Sequence, residues 1–414
     1  MKIYTNKIPN YIINVLTVFL LFSFTYLNMV TWGRYAFLAI SVVIFLISSS
    51  KYCGGVKFTV QPFHIFLFIF ACYCALTALW SQAPQRAITK ATTLFYILIS
   101  FSLIYCHFQK YNSITTLLVI LKWSGYILVF FTFMAFGFEG ILKAAEAERL
   151  GSTFTNTNTI AMAAATACVI QIWELIEKGI SLKVLFLIPP IMIVAATQSR
   201  KASLIITIGM LIIVFLKNID NKKFYMTVLK FIISMVIFIS AFLLLSKIPI
   251  FAGLTERIYT MIEGFKGGKN ADHSTLIRLK MIEIGMSEFK KHPVLGIGMD
   301  NILIIIKAKL GTKSYSHNNF VDLLSGGGII GFIIYYAMYI YFLHNLFKYR
   351  NIDKRMFRIS VSLIFSMLIT DYGNVSYYDK LQWFYIMILF INIDFLKRSA
   401  SIHGNNVYKD FKSS

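Results

Sequence analysis

The chain has 414 residues, 57% of them hydrophobic and 14% charged, with a net charge of +22 and a mean hydropathy of +0.69. A soluble domain could not hide that much apolar surface, whereas a bilayer removes the need to hide it. The positive charge invites a nucleic-acid reading, but its distribution is that of a membrane-topology signal, so no nucleic-acid partner is expected.

A spanning helix needs about 20 apolar residues. In chain order the apolar runs fall near 11–30, 35–50, 61–80, 90–107, 121–140, 157–176, 183–197, 202–217, 225–246, 319–343, 357–372 and 381–397. The expectation is an all-α polytopic membrane protein of about 12 transmembrane helices, forming a single domain over 1–414. Pro189-Pro190 is expected to kink the short seventh span. The first span follows Lys2 and Lys7 and lacks a small-residue cleavage site, so it reads as a retained helix.

With the N-terminus inside, most Lys and Arg lie in inner segments, from Lys51 and Lys57 to the run Lys348–Arg358. Short outer segments hold only Arg34, Arg86, Lys90, Lys143, Arg149, Arg200, Lys201 and Lys380. Both termini are therefore expected to be cytoplasmic, with 399–414 a cytoplasmic tail. Inner lysines are expected to meet anionic membrane lipids. Trp32, Trp80 and Trp383 are placed at the outer interface and Trp123 at the inner one. Cys53, Cys72, Cys74, Cys106 and Cys168 contain no CxxC and read as small hydrophobes, implying neither a disulfide framework nor a metal site.

One long hydrophilic stretch, 247–316, separates the ninth and tenth spans. Its apolar residues Leu254, Ile258, Met261, Ile262 and Phe265, then Ile277, Met281 and Ile284, follow helical spacing. Two amphipathic helices on the outer surface are expected, parted by Gly267-Gly268, the second capped by Ser274 and ended by His292-Pro293.

Four segments meet on the outer side under this topology: Arg149 to Asn158, Thr197-Gln198-Ser199-Arg200, Ser274 to Met286 with Arg278, and His317-Asn318 followed by Gly328-Ile-Ile-Gly331. Each residue has a plainer reading. Arg200 beside Lys201 can snorkel, Arg278 can be a solvated or Glu-paired side chain, and His317 can be a loop histidine. Asn156 and Asn158 are expected to cap the sixth helix. Gly326-Gly327-Gly328 is expected to bend the tenth or let it approach a neighbour. Asp371 stands at the outer end of the eleventh span, a candidate by virtue of its depth, with Lys380 or an arginine as an alternative partner.

In order and sidedness these motifs resemble the bacterial O-antigen ligase and polymerase family. The family pattern includes an R-x-x-G-x-F-x-N-P-N-like stretch, a T-x-[ST]-R turn, a loop arginine, and H-[NSQ]-x9-G-x-x-G/T. His292-Pro293-Val-Leu-Gly296-Ile-Gly298 is similar to its P-x-x-G-x-G segment, and Trp80-Ser81 to Arg86 to its early outer loop. Thr157 stands where the family often has Pro, and Gly331 where some ligases have Thr.

The resemblance implies a metal-independent, cofactor-free, inverting glycosyltransferase of the bacterial inner membrane. Its donor would be an undecaprenyl-diphosphate-linked glycan, and its acceptor lipid A-core or another glycan. In that reading His317, Arg278 and Arg200 are catalytic, His317 as general base and the arginines on the diphosphate. Arg149, Asn318, Arg86, Arg257 and Asp371 are the substrate-binding candidates. Lipopolysaccharide ligation is expected ahead of repeat-unit polymerisation. A transporter is the alternative from another class, though neither repeated halves nor mid-span charges favour it.

Overall fold

The computed structural model describes residues 7–26, 33–50, 56, 58–110, 114–146, 149–151, 156–219, isolated positions between 229 and 244, 247–265 and 273–412. Among them the regular structure is helical throughout. The elements are α1 (Lys7–Tyr26), α2 (Gly33–Ser49), α3 (Pro62–Leu76), α4 (Pro84–Lys110), α5 (Ile114–Glu146), α6 (Thr157–Lys178), α7 (Ile188–Thr197) and α8 (Arg200–Asn218). There follow α9 (Ala252–Phe265), α10 (His273–Lys291), α11 (Ile302–Leu310), α12 (Asn319–Lys348), α13 (Lys354–Gly373) and α14 (Lys380–Lys412). Among the described residues seven helical segments are long and apolar enough to cross a membrane, and three shorter apolar ones accompany them. This is a multi-pass membrane protein. The expected ninth span, 225–246, lies mostly outside the described residues, and Gly267-Gly268 lies wholly outside them.

The bundle packs by close approach of small residues, as helices must where lipid is as apolar as the side chains. In α6, Ala161, Ala164, Ala165 and Ala167 are fully buried, and Gly125 of α5 sits against the carbonyl of Ala163. On its other side Gly209 of α8 fits between Val169 of α6 and Ser362 of α13. A second, aromatic core joins α3, α12 and α14. Trp383 is not at an interface as expected. It is wholly buried, edge-on to Tyr335 at 6.2 Å, and donates its indole N–H to the carbonyl of Tyr377 at 2.8 Å. Trp80 and Trp123 remain exposed.

Two local expectations are revised. Pro189 and Pro190 do not kink a helix. A 3₁₀ turn over Leu182–Leu187 precedes them, and they open α7 within its first turn, where a missing N–H costs nothing. Ser274 does not precede the second loop helix, because α10 already includes His273. Nor does α10 simply lie on a surface, since Gly285 packs against Val321 of α12. The long segment also holds a third helix, α11, whose Ile302 and Ile306 cluster with Met281.

The glycine run of α12 does break the helix. Gly328 has φ 61° and ψ −167°, a region open almost only to glycine. The segment after α10 enters the break and is clasped there by four backbone bonds. Ile297 and Gly298 donate to the carbonyls of Ser325 and Gly326 (both 2.9 Å), while Ile329 and Ile330 donate to Pro293 (2.9 Å) and Val294 (3.4 Å). A Cβ on Gly328 would strike the Val294 carbonyl, and one on Gly296 would lie 2.5 Å from Gly326. Gly328→Ala is therefore expected to cost about 2–5 kcal/mol from strain and overpacking combined. It would appear as a lower thermal-denaturation midpoint of the detergent-purified protein, and an unchanged midpoint would refute the clasp.

Candidate functional site

The N-terminal ends of α6, α8, α10 and α12 lie at one end of the bundle, and the sequence motifs occupy these four ends. A helix N-terminus presents unpaired N–H groups and roughly half a positive charge, so this end is electropositive before any side chain is counted. The turn between α7 and α8 is a single left-handed residue, Gln198 (φ 49°), followed by extended Ser199. That reversal starts α8 at Arg200 and Lys201, two cations where the dipole is least favourable to them.

Four of the cations make contacts with neutral acceptors. Arg200 Nη1 donates to the carbonyl of Arg257 (3.2 Å) and to Thr275 Oγ1 (3.1 Å). Arg257 Nη1 lies 3.5 Å from the carbonyl of Gln198. Arg149 donates from Nε to the Thr197 carbonyl (3.1 Å) and from Nη2 to Asn158 Oδ1 (2.9 Å). Lys201 Nζ donates to the carbonyl of Gly373 at 2.7 Å. Arg278, in the second turn of α10, lies within electrostatic range of Arg149, Lys201, Tyr315 and His317. Burial lowers the pKa of Arg149, and Arg257 and Arg278 lower it further.

His317 adopts φ 55°, a conformation disfavoured for any residue with a Cβ. Its ring packs on Tyr315 (centroids 4.2 Å apart), and Nε2 lies 3.2 Å from Ser314 Oγ. Burial, then Arg278 and Lys201, lower its pKa to about 4, so at neutral pH the imidazole is uncharged and keeps a lone pair. Asn318 caps α12, its side-chain oxygen accepting from the Val321 amide at 3.1 Å. Ser316 donates to Asp322 Oδ2 at 2.9 Å. Among the described residues His317, Asp300 and Gln198 are the non-glycine residues with positive φ. Gln198 and His317 fall in sequence motifs, and Asp300 lies two residues past the Pro293–Gly298 motif; stored strain is common at such places.

The remaining candidates are placed differently. Arg86 Nη2 bonds Asp300 Oδ2 at 2.8 Å, and its Nε bonds the Asp300 carbonyl at 3.0 Å; Lys90 Nζ stands 3.6 Å from Oδ1. Arg86 thus braces the strap leading away from the clasp. Asp300→Asn should lower stability by about 1–3 kcal/mol, between the values for exposed and buried pairs. Turnover per folded molecule should stay near normal; a collapse of turnover without loss of stability would return Arg86 to the substrate.

Asp371 is wholly buried. Instead of Lys380 or an arginine it meets Tyr336 (3.0 Å), Tyr339 (3.1 Å), Gln382 (3.1 Å) and the Ser376 hydroxyl. Asn319 joins this network to the histidine segment. Its Oδ1 accepts from the amides of Ser376 (2.9 Å) and Tyr377 (3.0 Å), and its Nδ2 donates to Tyr336 (3.1 Å). Asn156 caps α6, but Asn158 is spent on Arg149.

Sequence reading passed over Lys201, Thr275, Tyr315 and Asn319. Only proximity to a named motif residue signalled them, because hydroxyl and amide contacts leave no periodic trace. Among the described residues no group of three or more His, Cys, Asp or Glu is placed to hold a metal ion.

A cluster of arginines and a lysine, at converging helix N-termini and beside an uncharged histidine, is suited to receive a multiply charged anion and a proton. Residues 184–336 match the family model for O-antigen ligase. This stretch is similar to the O-antigen ligase family. That segment takes in the Thr197–Arg200 turn, Arg278, the clasp and His317, and leaves Arg86, Arg149 and Asp371 outside. No curated protein matches the chain.

Proposed function

We propose that this protein is an inverting, metal-independent glycosyltransferase of the O-antigen ligase type, taking its glycan from undecaprenyl diphosphate on the periplasmic face. The carrying observation is the convergence of Arg149, Arg200, Lys201, Arg257 and Arg278 beside uncharged His317, where the charges nearest Arg149 and His317 are all positive. Arg200 and Arg278 grip the diphosphate, which guanidinium groups suit through bidentate, permanent charge. Arg149, Arg257 and Lys201 raise the surrounding potential.

His317 accepts the proton of an acceptor sugar hydroxyl as its oxygen attacks the anomeric carbon from the face opposite the diphosphate. The anomeric C–O bond breaks with its electron pair passing to the diphosphate oxygen, whose new charge the arginines stabilise. Asn318 fixes the histidine segment, and lipid A-core is the proposed acceptor. Lys and Arg placement supports an orientation with both termini in the cytoplasm.

The test combines purified protein with undecaprenyl-diphosphate-linked glycan, with and without lipid A-core, and reads products on a gel. Product requiring lipid A-core supports ligation. A ladder of longer lipid-linked glycans formed without it would replace ligation by polymerisation, and no product under either condition would overturn the enzyme reading.

A further inference from the structure

The segment clasped into the break of α12 sits at a definite depth along the bundle. Trp80, exposed at the end of the 3₁₀ turn that follows α3, has the position of an interfacial anchor on the His317 side. Seven residues earlier, Tyr73 donates its hydroxyl to the carbonyl of Gly327 at 2.5 Å, and its ring packs on Gly331. One helical stretch and the 3₁₀ turn between Tyr73 and Trp80 rise about 12 Å. The break therefore lies well below Trp80, within the roughly 15 Å of hydrocarbon that one leaflet supplies.

Pro293 and Val294 reach that level, since their carbonyls accept from Ile329 and Ile330. Beyond them the chain climbs back. Gly298 lies against Ser81, the Met299 amide donates to Thr77 Oγ1 at 3.1 Å, and Asp300 meets Arg86 in the first turn of α4. Irregular backbone survives at membrane depth only where its polar groups are satisfied within the protein. Here Pro293 has no N–H, Gly296 donates to the His292 carbonyl (3.1 Å), and the clasp takes the amides of Ile297 and Gly298. Gly296 and Gly298 are buried, and no residue from Pro293 to Met299 is ionisable.

Two side chains point the other way: Val294 is 55% and Leu295 44% exposed. Isolated exposed aliphatics are ordinary on a water-facing surface. These stand at the level of exposed Leu76, Ile329 and Ile333, which belong to helical segments long and apolar enough to span a bilayer.

We propose that Pro293–Gly298 is a re-entrant element that dips into the leaflet nearer His317 and presents Val294 and Leu295 to lipid hydrocarbon. It anchors the C-terminal end of α10 in the membrane and fixes the height of Arg278, about 20 Å away along that helix. The anchor rests on depth and packing and does not depend on the reaction assigned to the His317 cluster.

A nitroxide would be attached at Leu295→Cys, and separately at Val294→Cys, in full-length protein whose five native cysteines are alanine and whose thermal midpoint is retained. Collision rates with oxygen and with a water-soluble nickel chelate would be measured in phosphatidylcholine nanodiscs. Oxygen should dominate at 294 and 295, as at Ile333→Cys on spanning α12, and the order should reverse at exposed Thr312→Cys. Nickel dominance at 294 and 295 would put the tip in water and overturn the proposal. So would exclusion of both reagents, which would mean that protein covers it. A second measurement keeps the native cysteines. Leu295→Asp should lower the thermal midpoint in nanodiscs by several degrees, whereas Thr312→Asp should leave it unchanged, because a carboxylate is costly in hydrocarbon and cheap in water. An unmoved midpoint for Leu295→Asp would equally sink the re-entrant assignment.

Discussion

Replacing His317 by alanine is expected to reduce glycan transfer by 10²- to 10⁴-fold, the span associated with loss of a general base, while leaving donor binding largely intact. The imidazole makes one polar contact, to Ser314, and packs on Tyr315, so its removal should leave the fold in place. A pH profile separates this role from a structural one. The histidine serves as base only when neutral, and its pKa is lowered to about 4 by burial, Arg278 and Lys201. Activity governed by the free protein should therefore hold from neutral pH down toward pH 5 and fall only as pH approaches 4. A bound diphosphate offsets the charge of Arg278 and Lys201 and moves the histidine back toward its ordinary value near ~6.5. The acidic limb of kcat should accordingly lie at higher pH than that of kcat/KM for the donor. Coincident limbs, or near-normal turnover of His317→Ala, would remove His317 from the mechanism.

Arg278→Ala should cost about 10²- to 10³-fold in turnover, as when one charge-stabilising donor is lost. Arg278→Lys should recover only part of this, since a lysine restores the charge without the planar two-pronged geometry. Both can be scored by initial rates with the lipid-linked donor. The two substitutions also differ at the neighbouring base. Alanine takes away one of the cations that hold His317 low, so the acidic limb of kcat/KM should move to higher pH, whereas lysine should leave it nearly where it was. If Arg278→Ala kept full activity with an unmoved limb, the arginine would be a solvated helix residue and nothing more.

Much of the helical framework is legible in the residues because a bilayer imposes a length rule that hydropathy alone satisfies. The expected spans within the described residues all fall on helices. What escapes is whatever depends on partners. Pro189-Pro190 reads as a kink in isolation, and only the preceding 3₁₀ turn makes it a helix start. Trp383 has the sequence position of an interfacial anchor and is buried because α3 and α12 close over it. In the site, the motifs bring Arg200, Arg278 and His317 to one place, since motif residues sit at helix starts that the topology gathers. Arg86 and Asp371 were substrate-binding candidates on paper. Their partners, Asp300 and the hydroxyls of Tyr336 and Tyr339, are distant in sequence and carry no spacing that points to them.

The backbone clasp between Gly326–Gly328 and Pro293–Gly298 bears on how this architecture can diversify. Its four hydrogen bonds join main chain to main chain, so the register of α12 against the end of α10 is indifferent to nearly every side chain around it. The largely exposed stretch from Lys307 to Lys313 lies between this joint, with the first turns of α11, on one side and the Ser316–Asp322 and Asn318 caps on the other. Between two such fixed points a loop can lengthen, shorten or change composition without displacing either the histidine or the arginines. Variation confined to that interval would let one catalytic frame be refitted to new acceptors, much as a vice takes different jaws on the same screw.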